Sequence, residues 1–383
     1  MMKNEEMNCS KVFIGEPGCG KSIALFHSLI EAVQNGESAV LFTCEKEFYT
    51  HFSSNLDVFN RIDLEIFDFS DVKIYEKYAL SLIPDLVLNP YTNDFLLAGH
   101  IEKIYQSFLL LLEKVKDQTL RNDSRFILNL ACKAVFATPG QSFYHLYQFL
   151  TDKPIRQARL ETLAQTHYPL LTEDERDVLL ALNNYRNFKN DGAFQLVERM
   201  TALFDDFRLK TLLSNAVSAD PNMKRLTKNK GLTVVYLPFE SFSQPSQDSF
   251  TLLLTLQFQL LHQATSDQSL ILAYEELYRL ESTLKYLKTT LPDFSRLNTR
   301  LFLTQHFYRQ ATSFLDELLN YPCEGIFFRG AASDDLAYLR HYHSLLKASD
   351  LKHYSLNRYE AFVIQPTLET VHVKTFSLNL TEI

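Results

Sequence analysis

Residues Gly15-Glu16-Pro17-Gly18-Cys19-Gly20-Lys21-Ser22 fit, at every fixed position, the template of a loop that wraps phosphate groups. Its glycines let backbone N–H groups converge at the start of a following helix, whose dipole also favours negative charge. Lys21 is placed to reach the β- and γ-phosphates of a nucleotide, and Ser22 Oγ to ligate Mg2+. Gly15, Gly18, Cys19, Gly20, Lys21 and Ser22 therefore form the expected nucleotide-binding set, with ATP and Mg2+ as ligands. Cys19 stands where a helix dipole lowers a thiol pKa, but the position points no chemistry at the substrate.

Hydrolysis at such a loop needs one carboxylate on a neighbouring strand for Mg2+ and another to orient water. Glu275 and Glu276, at the end of the apolar run LILAY, are the candidates, with Glu275 where Asp is usual and the longer side chain reaching the ion through water. The competing reading is two solvated acids opening a helix. Thr304-Gln305 closes the next apolar run, RLFLT, and offers an amide to sense the γ-phosphate or position water. The competing reading there is a simple strand cap.

The elements that must position these residues alternate. Lys11 to Ile14 reads as a strand, Ser22 to Val33 as a helix ended by Asn35-Gly36, and Ala39 to Cys44 as a second strand, together a βαβ unit. Leu64 to Phe69 reads as a third strand, and Leu86 to Pro90 leads into a helix from about Leu96 to Lys116. From Asn122 to about Leu213 the apolar spacing is helical, with turn signals at Pro139-Gly140, Asp152 to Pro154 and Asn190 to Gly192. Strands resume at Leu232 to Leu237, Leu270 to Tyr274, Arg300 to Thr304 and Gly325 to Arg329, with helices near Ser246 to Ala264 and up to about Leu291. Ala361 to Gln365 and Thr370 to Phe376, with Pro366 between, read as a closing hairpin. The expected fold is thus an α/β P-loop NTPase (RecA-like) core with a mainly parallel sheet, residues 1–121 and 214–383, split by an all-helical insertion at 122–213 and closed by that hairpin.

Composition narrows the function. The 383 residues are 46% hydrophobic and carry a formal net charge of −8, so the chain is no polycation that coats nucleic acid, and any DNA-binding surface must be local. Five scattered cysteines without a Cys-x-x-Cys pair argue against a disulfide framework and a zinc site, and for a reducing cytosol. The polar Met1 to Ser10 leaves no room for a signal peptide, and no apolar stretch approaches the ~20 residues of a bilayer span, so a cytoplasmic protein without its own membrane anchor is expected.

The series AVLFTCEKEF (Ala39 to Phe48), LEIFDFS, LVLNP (Leu86 to Pro90), a helical insertion, GLTVVYLP (Gly231 to Pro238), LILAYEEL and RLFLTQ resembles the ring-forming FtsK/HerA-type ATPases, in particular the conjugation ATPases and TraG/TraD-type coupling proteins of type IV secretion. The resemblance covers almost the whole chain and rests on the order and spacing of motifs. It implies a homohexamer whose nucleotide is completed by a neighbour's arginine, for which Arg296, some nine residues before Gln305, is the candidate. Arg300, Arg309 and Arg329 are rivals, and a plain surface arginine is the alternative. It implies DNA as a partner, with Lys224, Arg225, Lys228 and Lys230 as the densest basic run, which a solvated loop also explains. Conjugation or secretion machinery would recruit the ring peripherally to a membrane. An ATPase serving secretion without DNA and a nucleotide-binding scaffold with weak turnover stand as the competing functions.

Overall fold

The computed structural model describes residues 9–46, 49–50, 62–77, 94–116, 118–137, 141–165, 172–175, 177–178, 191–214, 231–265, 269–318, 320–328, 360–364 and 371–375. The LVLNP segment, the basic run at 224–230 and Arg329 lie outside them.

Seven strands come from short apolar or β-branched runs: β1 (Ser10–Ile14), β2 (Ser38–Thr43), β3 (Asp63–Asp68), β4 (Gly231–Tyr236), β5 (Leu270–Tyr274), β6 (Thr299–Gln305) and β7 (Cys323–Phe328). All pair in parallel. β8 (Glu360–Ile364) and β9 (Val371–Thr375) form the expected hairpin, antiparallel to each other and to β7. The nine-stranded order is β3-β4-β2-β5-β6-β1-β7-β8-β9. Strands buried on both faces need no polar alternation, which is why LILAY is buried at every position.

This order decides where chemistry can happen. β6 lies between β1 and β5, with Ile14 opposite Gln305 and Tyr274 opposite Leu303. The chain therefore leaves β1, β5 and β6 at one edge of the sheet. In α/β sheets, ligands bind outside these carboxyl ends.

Helix α1 (Lys21–Gln34) leaves that edge and buries Ala24, Leu25, Leu29, Ala32 and Val33 in one cluster with Phe13, Leu41, Ile271 and Phe302 of the strands. Apolar residues at i, i+1, i+5, i+8 and i+9 make the stripe that holds the helix to the sheet. Its N-cap is Gly20 at φ 113° and its end is set by Asn35-Gly36, with Gly36 at φ 92°.

The chain forms two compact units: 1–70, 228–247 and 267–383 in one, and 71–227 with 248–266 in the other. The helical unit is thus wider than the expected 122–213. It holds α2 (Val72–Lys77), α3 (Asp94–Val115), α4 (Asn122–Phe136), α5 (Phe143–Thr151), α6 (Lys153–Gln165), α7 (Asp191–Phe204), α8 (Phe207–Ser214) and, from Asp248 onward, α9 (Gln244–Thr265). The reason is packing: Phe108 of α3 meets the rings of Phe136 (5.7 Å) and Phe143 (4.3 Å), so α3 shares a core with α4 and α5. The buried Arg199 of α7 also donates to the carbonyl of Leu112 (3.0 Å), which the end of α3 leaves without a helical partner, and to that of Gln118 (2.6 Å) just beyond the helix. Among the described residues no helix is long and apolar enough to cross a membrane.

Two further helices complete the sheet unit, α10 (Glu281–Arg296) and α11 (Thr312–Leu318). The sequence places the end of α10 near Leu291, but the helix continues through Pro292 to Arg296. Arg296 is consequently the last helical residue and not part of a loop.

Candidate active site

The loop between β1 and α1 is shaped by two left-handed glycines, Gly18 (φ 74°) and Gly20 (φ 113°). A Cβ at Gly18 would meet nothing within 4 Å, so the requirement for glycine there is conformational. The Gly15 N–H donates to the Gln305 carbonyl (3.2 Å), tying the first loop residue to the end of β6. Lys21 is buried, and its Nζ donates to the carbonyls of Gly15 (2.6 Å) and Glu16 (2.7 Å). Burial lowers the Lys21 pKa, opposed by Cys19, Glu276, Glu275 and Glu16. Cys19 runs against expectation: burial raises its thiol pKa in spite of Lys21 nearby, because desolvating a thiolate outweighs the local field.

Neither acid is solvated. Glu275 and Glu276 are 5% and 8% exposed, and a three-residue 3-10 turn, Leu277–Arg279, rather than a helix follows them. Glu275 is gripped by two hydroxyls, Ser22 Oγ donating to Oε1 and Thr43 Oγ1 to Oε2, each at 2.5 Å. The longer acid thus reaches the loop serine directly. Burial pushes its pKa up to about 7, opposed by the two hydroxyl bonds and raised further by Glu45 and Glu276. Among the described residues no three His, Cys, Asp or Glu gather into a metal cluster, so a hydroxyl and this carboxylate are the donors on offer. Hard oxygen donors with one carboxylate fit Mg2+, which keeps several waters and takes phosphate oxygens as further ligands. A buried carboxylate that resists ionising is also one that a cation beside it would stabilise.

The folded-state pKa of Glu275, about 7, lies above the ordinary 4.5, so folding favours the protonated form. That contribution is fully present below the ordinary value and is lost as pH rises through about 7. Without Mg2+ or nucleotide, Glu275→Gln is expected to melt several degrees above the parent near pH 8, the gap narrowing as pH falls from about 7 toward 4.5. Thermal melts of both chains across that range check it; a constant gap contradicts it.

Glu276 adopts φ 53°, ψ 47°, a left-handed conformation unusual for a residue with a side chain. Its N–H donates to Thr304 Oγ1 (3.1 Å), and its carboxylate lies between His306 Nε2 (2.5 Å) and Arg279 Nε (2.7 Å). Such strain persists only where the surroundings impose it, and it clusters at functional sites. Gln305 is fully buried, and among the described residues neither atom of its side-chain amide has a hydrogen-bond partner. A strand cap would use that amide, and leaving it unsatisfied costs about 1–3 kcal/mol.

The arginines separate. Arg296 is exposed, pairs with Asp293 (2.7 Å) and precedes β6, so that strand, about 20 Å long, lies between it and Gln305. It cannot serve the loop of its own chain. Arg300 is buried in an ion pair with Glu37 and is no finger, because freeing it would strand a buried charge. Arg309 is exposed over the Phe307 ring (5.3 Å) just past Gln305.

Sequence reasoning missed Thr43, Arg279 and His306. Glu276 and Arg279 are spaced i, i+3, a usable signal only once the 3-10 turn is known. Thr43 closes a strand whose neighbour, β5, is far along the chain. His306 follows the motif glutamine directly and carried no signal of its own.

Together, a parallel sheet with this loop, helix and strand-end carboxylates define a P-loop NTPase fold. No protein-family model matches the sequence, and no curated protein matches it by sequence. Solved structures do share the fold. VirB4 of Thermoanaerobacter pseudethanolicus aligns with a TM-score of 0.57 at 13% identity, over 97% of this chain and 90% of that one. The bacterial conjugative coupling protein TrwBΔN70, unbound, gives 0.60 at 13%, over 99% and 87%. TrwB in complex with ADP and Mg2+ gives 0.58 at 13%, over 99% and 87%. The fold is the one found in VirB4 and in the conjugative coupling protein TrwB.

Proposed function

We propose that this chain is an ATP-hydrolysing motor of the FtsK/HerA class that moves DNA, in conjugative transfer of a plasmid or integrated element. The observation that carries the ATP-hydrolysing part of this reading is the 2.5 Å contact between Ser22 Oγ and Glu275 Oε1, which joins the loop to the acid strand, with the strained Glu276 next to it, while the DNA part draws on the sequence resemblance. The nucleotide assignment draws on TrwB, solved with an ATP analogue and with ADP and Mg2+.

In this reading the backbone N–H groups of the loop and the N-terminus of α1 hold the phosphates, and Lys21 turns from the Gly15 and Glu16 carbonyls to the β- and γ-phosphates. Ser22 and Glu275 would hold Mg2+, which would supply charge neutralisation on the phosphate oxygens when bound. Glu276 orients the attacking water and takes its proton, and the Gln305 amide contacts the γ-phosphate. Arg296, remote from its own loop, completes a neighbour's site in a homohexameric ring. The basic run Lys224, Arg225, Lys228 and Lys230 contacts DNA phosphates, and partners in the conjugation machinery recruit the cytoplasmic ring to the membrane.

A second reading, open from the sequence resemblance, is an ATPase that energises a secretion apparatus without DNA. Double-stranded DNA separates the two. The motor is expected to hydrolyse ATP several-fold faster with DNA, the gain fading as salt displaces phosphate contacts. Hydrolysis indifferent to every nucleic acid removes the DNA motor and leaves the secretion ATPase.

A further inference from the structure

His306 joins two residues of opposite charge. Its Nδ1 lies 3.4 Å from Lys21 Nζ and its Nε2 2.5 Å from Glu276 Oε1. A lysine ammonium only donates, so Nδ1 accepts; the ring proton then sits on Nε2 and is donated to the carboxylate. A neutral imidazole in that tautomer satisfies both contacts at once. The ring is held in place as well: its side chain is only 16% exposed, with Tyr278 (5.8 Å) and Phe307 (6.5 Å) beside it. The preceding residue, Gln305, takes the Gly15 N–H on its carbonyl, so the segment carrying His306 is tied to the start of the phosphate loop.

We infer that His306 is a positioning residue that couples the phosphate-binding Lys21 to the water-orienting Glu276. The inference rests on the reading of Glu276 given above. When Lys21 Nζ turns to a phosphate oxygen, the bond at Nδ1 weakens and the ring answers to Glu276 alone. The carboxylate, held on its other side by Arg279, is then oriented according to what Lys21 holds. The left-handed backbone of Glu276 is anchored on both sides, its N–H donating to Thr304 Oγ1 and its carbonyl accepting the Arg279 N–H (3.0 Å), so the His306 bond acts on a side chain whose root is fixed.

The full chain is assayed with Mg2+-ATP for steady-state hydrolysis and with a fluorescent ATP analogue for binding, as His306→Ala and His306→Gln. His306→Ala is expected to lower kcat about tenfold to a hundredfold, while KM and analogue affinity stay within about threefold. His306→Gln, whose amide N–H can replace the Nε2 donor, is expected to recover most of the loss. A kcat in His306→Ala within about twofold of the parent, failure of His306→Gln to restore any activity, or loss of analogue binding in both variants overturns the coupling. Glu276→Gln serves as the control that keeps the two claims apart. If it stalls while His306→Ala runs at full rate, the coupling alone fails; if it retains most activity, the role of Glu276 fails and the coupling with it.

Discussion

Glu276→Gln is expected to bind Mg2+-ATP about as tightly as the parent chain and to hydrolyse it about 10²- to 10⁴-fold more slowly. The substitution keeps the shape and can still accept from His306 Nε2, so the strained turn at φ 53° has no reason to rearrange. What it removes is the negative charge that draws water's proton. Because loss of a group acting only in the transition state lowers kcat and kcat/KM together, KM is expected to stay near its parent value. Steady-state kinetics beside binding of an ATP analogue check this. A variant with most of its activity takes Glu276 out of the mechanism.

Lys21→Ala is expected to abolish measurable hydrolysis and to weaken nucleotide binding roughly a hundredfold or more. The side chain is buried, and its bonds to the Gly15 and Glu16 carbonyls stand ready to be exchanged for bonds to phosphate. Each hydrogen bond to a charged group is worth about 1.5–3 kcal/mol, so two of them account for that loss. Titration of a fluorescent ATP analogue reads the effect, with a thermal melt to show that the variant is folded. Parent-like affinity in Lys21→Ala would place the nucleotide elsewhere.

The sequence carried the backbone of this site well and its wiring poorly. Gly15 to Ser22 was legible because a loop with left-handed glycines before a helix needs particular residue types at fixed positions. β5 and β6 were legible because strands buried on both faces are nearly pure apolar runs, and the residues just past them stand out by contrast. Strand order was not, since pairing β6 between β1 and β5 joins segments almost three hundred residues apart, as Lys11 with Phe302 illustrates. Thr43 and His306 owe their roles entirely to that order. The left-handed backbone of Glu276 was hidden for another reason: nothing in Tyr-Glu-Glu-Leu favours it, and the bonds that accompany it, to Thr304 Oγ1 and from the Arg279 N–H, depend on the fold. Arg300 shows the reverse error, a cation that looked available but is neutralised by Glu37 just before β2. Helices of the two units carry the same apolar period, so the start of the helical unit at Asp71 could not be told from periodicity.

ATP turnover by the purified chain, measured with and without Mg2+ beside binding of an ATP analogue, tests the central claim most directly. Hydrolysis that requires Mg2+ and vanishes in both Lys21→Ala and Glu276→Gln is the result expected of a catalytic site built from Ser22, Glu275 and Glu276. Tight binding with no turnover under any Mg2+ concentration would contradict it and leave a nucleotide-binding scaffold.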